Sequence, residues 1–136
     1  VALVAALERG VRVRVITPGK HTDQKAVRRA SRALWGDLLR AGVEMHEYRH
    51  TMYHCKMMVV DGVLSSVGST NFDPRSFHLN DEANLNVYDA DFARRMTEVF
   101  EADLRRCKRI TLQAWQGRPA KEKLHERLSA MLAPIL

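Results

Sequence analysis

The chain has 136 residues, of which 46% are hydrophobic, 28% charged and 7% aromatic. That length suits one domain, and the composition excludes wholesale disorder and collagen-like repeats. No apolar run reaches the roughly 18 residues that a membrane-spanning helix needs.

Residues 1–8 read as the end of an amphipathic helix closed by Arg9 and Gly10. The stretch is too short to span a bilayer. It also lacks the basic start and small-residue cleavage site of a secretory signal. A start inside a helical pattern with no capping residue predicts that the chain is part of a longer one. Residues 11–16 alternate apolar and basic, a strand pattern, and Pro18-Gly19 marks a turn. Asp23 is placed to cap a helix whose apolar positions Val27, Ala30, Leu34, Leu38 and Leu39 recur at helical spacing until Gly42. Strands are predicted over residues 43–48, 54–60, 63–67 and 83–88, with Asp61-Gly62 as a two-residue hairpin turn. A helix follows over residues 91–107, with Phe92, Met96, Val99, Phe100 and Leu104 on one side. After a linker around Gly117, a last basic amphipathic helix falls within residues 118–136. Its apolar positions are Leu124, Leu128, Met131 and Leu132, expected to pack on the sheet. The order predicts an α/β fold with a mixed β-sheet sandwiched between helices, in one domain over residues 1–136.

The formal charge is +6, and residues 105–127 alone, with eight Lys/Arg and two acids, account for it. Such a strip suits a solvated face, an anionic membrane surface or nucleic acid. The absence of an accompanying aromatic series disfavours nucleic acid. Cys55 and Cys107 fit no metal-ligand or redox spacing and read as free thiols. His46, His50 and His125 fit no motif and read as surface residues, with His50 the nearest to the candidate site.

The chemistry concentrates in His54-x-Lys56-x4-Asp61-x6-Gly68-Ser69-x-Asn71. On a strand, residues two apart project to the same face, which puts His54 beside Lys56. A hairpin at Asp61 returns the small-residue loop 68–71 toward the start of that strand. Neutral imidazole is a nucleophile that can carry phosphate covalently. Lys56 supplies point charge for phosphate oxygens, and Ser69 and Asn71 supply donors to the same oxygens. Glu82, at the edge of the next strand, is the candidate to hold the imidazole's other nitrogen. Asp61 suits the turn or a pairing with a base.

These residues resemble the phospholipase D superfamily, whose signature is the H-x-K-x4-D motif followed by G-S/G-x-N. Residues 68–77 and the run Leu79-Asn80-x-Glu82-Ala83-Asn84 resemble the second motif of bacterial cardiolipin synthases. Residues 9–19 and 38–43, Ile110, Trp115 and the final basic helix extend the likeness over nearly the whole chain. The resemblance implies one half of a two-motif pseudo-dimer that transfers a phosphatidyl group through a phosphohistidine, with cardiolipin made from phosphatidylglycerol. It makes His54, Lys56, Asp61, Asn71 and Glu82 catalytic and Lys56, Ser69 and Asn71 phosphate-binding, with no metal or other cofactor. It also implies association with a bacterial membrane. The chain has a single H-x-K, so the second motif is expected from an upstream half or from a second subunit. A homodimeric phosphodiesterase and a non-catalytic membrane-docking half are the competing expectations.

Overall fold

The computed structural model describes residues 2–22, 25–71 and 81–131. Asp23, residues 72–80 and Leu132, all named above, lie outside them. The chain divides into two compact units: residues 1–53 with 106–136, and residues 54–105.

In the first unit, helix α1 (Ala2–Glu8) leads to β1 (Arg14–Thr17), α2 (Lys25–Ala41) and β2 (Glu44–Tyr48). β1 and β2 pair in parallel, with Val15 opposite Met45, and α2 is the crossover that a parallel pair requires. The second unit then follows, after which the chain returns as β6 (Cys107–Ile110), α4 (Leu112–Gln116) and α5 (Ala120–Met131). β6 lies antiparallel on the other side of β2, in the order β1-β2-β6. β2 is therefore a central strand, and Met45, His46 and Tyr48 along it are all buried. The core gathers Trp35, Val43, Met45 and Ile110, with Leu7, Val13, Val15, Leu38, Leu39 and Trp115 packed around them. Burial of these side chains is the main stabilising term of this unit.

The second unit holds β3 (Met57–Val60), β4 (Leu64–Gly68), β5 (Asn84–Tyr88) and helix α3 (Ala90–Leu104). The strands form an antiparallel sheet in the order β3-β4-β5. Asp89 caps α3, its carboxylate accepting from the Phe92 N–H at 2.7 Å. Ala93, fully buried, faces inward, with Phe92, Met96, Phe100 and Leu104 half-buried around it.

The fold is α/β, as expected, with the strands of the described residues in two three-stranded sheets. Several expectations need correction. The helix predicted through residue 107 stops at Leu104, and Cys107 opens β6. Val99 is 46% exposed rather than part of the packed side. The strand expected from His54 starts at Met57, and that expected from Val11 starts at Arg14. Val60 pairs with Leu64, so three residues connect the hairpin and not two. Asp61 (φ +51°) and Gly62 (φ +65°) adopt the left-handed turn conformation; the Val63 N–H closes the turn on Val60 O at 3.1 Å, and its carbonyl accepts from the Asp89 N–H at 2.9 Å. His46 is buried on β2, a strand paired on both edges, whereas His50 and His125 are exposed. On α5 it is Glu126 that is buried, while Leu124, Leu128 and Met131 are 51–77% exposed.

Candidate active site

The second unit carries every described residue of the predicted constellation. His54 and Lys56 precede β3 directly, with His54 exposed and Lys56 half-buried. The Lys56 ammonium lies 2.9 Å from both ring nitrogens of His54 and donates to the His54 carbonyl at 3.0 Å. It therefore sits at the ring edge between the two nitrogens, and either neutral tautomer leaves one acceptor beside it.

The return strand brings the small-residue loop back to this point. The Gly68 N–H donates to the Lys56 carbonyl at 3.1 Å. On its other side the Ser69 N–H donates to Ala83 O at 3.0 Å, and the Ala83 N–H donates to Ser69 Oγ at 3.1 Å. The Ser69 hydroxyl thus already serves the β5 side of the loop. Asn84 was not singled out for a role by sequence reasoning, yet it braces the same loop. Its Oδ1 accepts from the Thr70 N–H at 3.2 Å and its Nδ2 donates to Ser66 Oγ at 3.3 Å. Asn84 follows the quoted Glu82-Ala83 pair, so its position was visible, but its contacts depend on strand register. Gly68 is required here by close approach. A Cβ on it would lie 2.1 Å from Asn84 Oδ1 and 2.2 Å from Ala83 O.

Asn71 ends the described loop and is exposed. Glu82 is half-buried two residues ahead of β5. Asp61 occupies the hairpin turn at the far end of β3 from His54, about 13 Å from the start of that strand at ~3.3 Å per residue. The structure thus brings together His54, Lys56 and the 68–70 loop, and places Asp61 in the turn. Among the described residues no cluster of His, Cys, Asp or Glu suits a metal ion. Cys55 is exposed and Cys107 half-buried, and neither is in a disulfide.

The fold and this strand–turn–strand–loop arrangement define a phospholipase D-like domain. The family described as "Cardiolipin synthase, PLD-like domain" matches residues 1–104, and the chain belongs to it. It is 41% identical over 133 residues to a cardiolipin synthase of Geobacillus sp. (strain WCH70), covering 98% of this chain and 26% of that protein. It is 37% identical over 135 residues to cardiolipin synthase 1 of Staphylococcus epidermidis (strain ATCC 12228), covering 99% of this chain and 27% of that protein. The chain spans about a quarter of the length of these curated relatives. Two solved structures share the fold. The phospholipase D family member Nuc from Salmonella typhimurium aligns with a TM-score of 0.71 and 23% identity, over 81% of this chain and 71% of that one. The phosphatidylserine synthase of Haemophilus influenzae aligns with a TM-score of 0.67 and 18% identity, over 98% of this chain and 35% of that one.

Proposed function

We propose that this chain supplies one half of a phosphatidyltransferase active site, passing a diester phosphate from a phospholipid to an alcohol through a phosphohistidine. The observation that supports this best is the His54–Lys56 pair beside a small-residue loop bonded to the Lys56 carbonyl, within a domain of the cardiolipin synthase family. His54 is one of two histidines, the other coming from a second H-x-K motif in an upstream half or a second subunit. One neutral imidazole attacks phosphorus; the P–N bond forms as the P–O bond to the leaving alcohol breaks. The other imidazole donates the proton that the leaving oxygen takes. The acceptor hydroxyl then returns a proton to that second imidazole, its oxygen attacks phosphorus and the P–N bond breaks. With phosphatidylglycerol as donor and acceptor, the products are cardiolipin and glycerol.

In this reading Lys56, Asn71 and Ser69 hold the non-bridging oxygens, where charge gathers in the transition state. Glu82 orients the His54 ring, and Asp61 contributes by holding the hairpin. The steps need no metal. A phospholipid substrate places the enzyme at a bacterial membrane. Among the described residues no helix is long and apolar enough to cross one.

The single H-x-K in the sequence favours a second reading, a phosphodiesterase completed by two copies of the chain. Cleavage of a chromogenic phosphodiester by the chain alone, wild type against His54→Ala, separates the two. Activity that disappears in the variant supports two copies completing a site. A folded, inactive wild type supports an upstream half as the source of the second histidine. Cleavage that is unchanged in His54→Ala overturns both.

A further inference from the structure

The first unit contains a guanidinium that the proposed reaction does not use. Arg118 stacks on Trp115, its Cζ 4.0 Å from the ring centroid, and its Nη2 lies 3.0 Å from Glu126 Oε2. Its side chain is only 8% exposed. Even so, its Nε and Nη1 are buried with no hydrogen-bond partner. Leaving such groups unsatisfied costs about 1–3 kcal/mol each, and more for charged ones.

Glu47 and the Oε1 of Glu126 are already committed, and Glu126 Oε2 faces only the Arg118 Nη2. Arg32 donates to Glu126 at 2.8 Å and to Glu47 at 2.7 Å, and Arg28 also donates to Glu47, at 2.5 Å. Three guanidinium groups therefore share two carboxylates. Burial and the neighbouring Arg32 charge hold the Arg118 pKa below the ordinary arginine value despite the pull of Glu126. The same Arg118 lines a cleft of about 290 Å³ that also presents Lys123, Arg127 and Gln116. The cleft lining carries three cations, Arg118, Lys123 and Arg127, against Glu126, with Glu122 also acting on Arg118, so positive charge is in excess beside room for a small anion. A phosphate group matches it, because guanidinium and ammonium donors pair with its several oxygens at once.

One more observation selects the source of that phosphate. On α5, which carries Lys123 and Arg127, Leu124, Leu128 and Met131 are 57%, 51% and 77% exposed. Cations that flank exposed apolar side chains on one helix fit a lipid surface, where the side chains reach the acyl boundary and the cations reach the headgroups. We propose that the Arg118–Lys123–Arg127 cleft binds the headgroup phosphate of an anionic phospholipid, at a site that shares no residue with the His54 constellation.

The test is binding of the full chain to vesicles of phosphatidylglycerol mixed with phosphatidylcholine, read by co-sedimentation and tryptophan fluorescence. Lys123→Ala/Arg127→Ala is compared with the charge-matched control Lys20→Ala/Lys121→Ala. Neither pair is buried in the core, so both variants are expected to fold. The cleft variant is expected to lose about thirtyfold in partitioning, from roughly 1 kcal/mol for each of its two basic residues at an anionic surface. The control is expected to lose less than threefold. His54→Ala is expected to bind as wild type does, which keeps this result separate from the phosphatidyltransferase reading. Equal losses in the two double variants overturn the site in favour of diffuse electrostatics. Saturable binding of a soluble glycerophosphodiester as tight as that of the vesicles overturns the lipid as its source.

Discussion

At Gly68 the backbone of β4 passes so close to β5 that no side chain fits without moving main-chain atoms. Gly68→Ala is expected to destabilise the protein by about 1–3 kcal/mol, the usual cost of overpacking, measured by urea unfolding. Asn84→Ala removes acceptor and donor from Thr70 and Ser66. Two lost hydrogen bonds predict a loss of about 1–3 kcal/mol, with a larger effect on turnover than on substrate KM if the loop holds phosphoryl oxygens. His46 makes a different prediction. Burial holds its pKa below the ordinary imidazole value, reinforced by Arg109 and Arg14 and opposed by Glu44. The unfolded chain therefore binds a proton more readily than the folded one, so this residue costs stability as pH falls below about 6.5. The penalty is complete once pH has passed below the folded-state pKa. Unfolding free energy measured between pH 7.5 and 5 is expected to fall less steeply in His46→Gln than in wild type. Parallel curves contradict the assignment.

At the scale of elements, the orientation of α5 is set by ion pairs and not by its leucines. Arg32 and Arg118 converge on Glu126, whose side chain is 5% exposed. Glu126→Gln leaves both guanidinium groups without their shared carboxylate and is expected to cost about 3–5 kcal/mol. Leu124→Ser/Leu128→Ser is expected to change stability by less than about 0.5 kcal/mol, since neither side chain is buried. Urea unfolding of both variants checks the contrast, and the reverse ranking contradicts it. Helical periodicity could not reveal this, because an apolar stripe reads as the buried face unless the charges that bury the other face are known. The hairpin shows a similar limit. Asp61-Gly62 marked the turn correctly, but the Val63 N–H turns back to the Val60 carbonyl, and the Val63 carbonyl extends the pairing with β5 through the distant Asp89 N–H. β6 was hidden for a comparable reason. Its four residues place two cations between Cys107 and Ile110, so neither a strand nor a helix period is visible, and pairing with β2 decides the outcome.

Across the whole molecule, the α/β class and the neighbourhood of His54, Lys56 and the 68–70 loop were legible because they depend on spacing within one hairpin. The brace from Asn84, the buried His46 and the division of the strands into two sheets were not, because each depends on partners far away in sequence. The excess of positive charge also divides once the fold is known. Arg118 and Glu126 of the basic stretch are buried, whereas Lys108, Arg109, Lys121 and Arg127 remain exposed. The central claim concerns chemistry at His54, and it is tested most directly in the enzyme with both motifs present. The measurement is the rate of cardiolipin formation from phosphatidylglycerol, in wild type and in His54→Ala, with urea unfolding confirming that the variant is folded. Loss of a covalent or acid–base histidine predicts a fall of at least about a thousandfold. A folded His54→Ala enzyme that retains turnover within about tenfold of wild type, below the effect of even a modest acid–base group, would contradict the account.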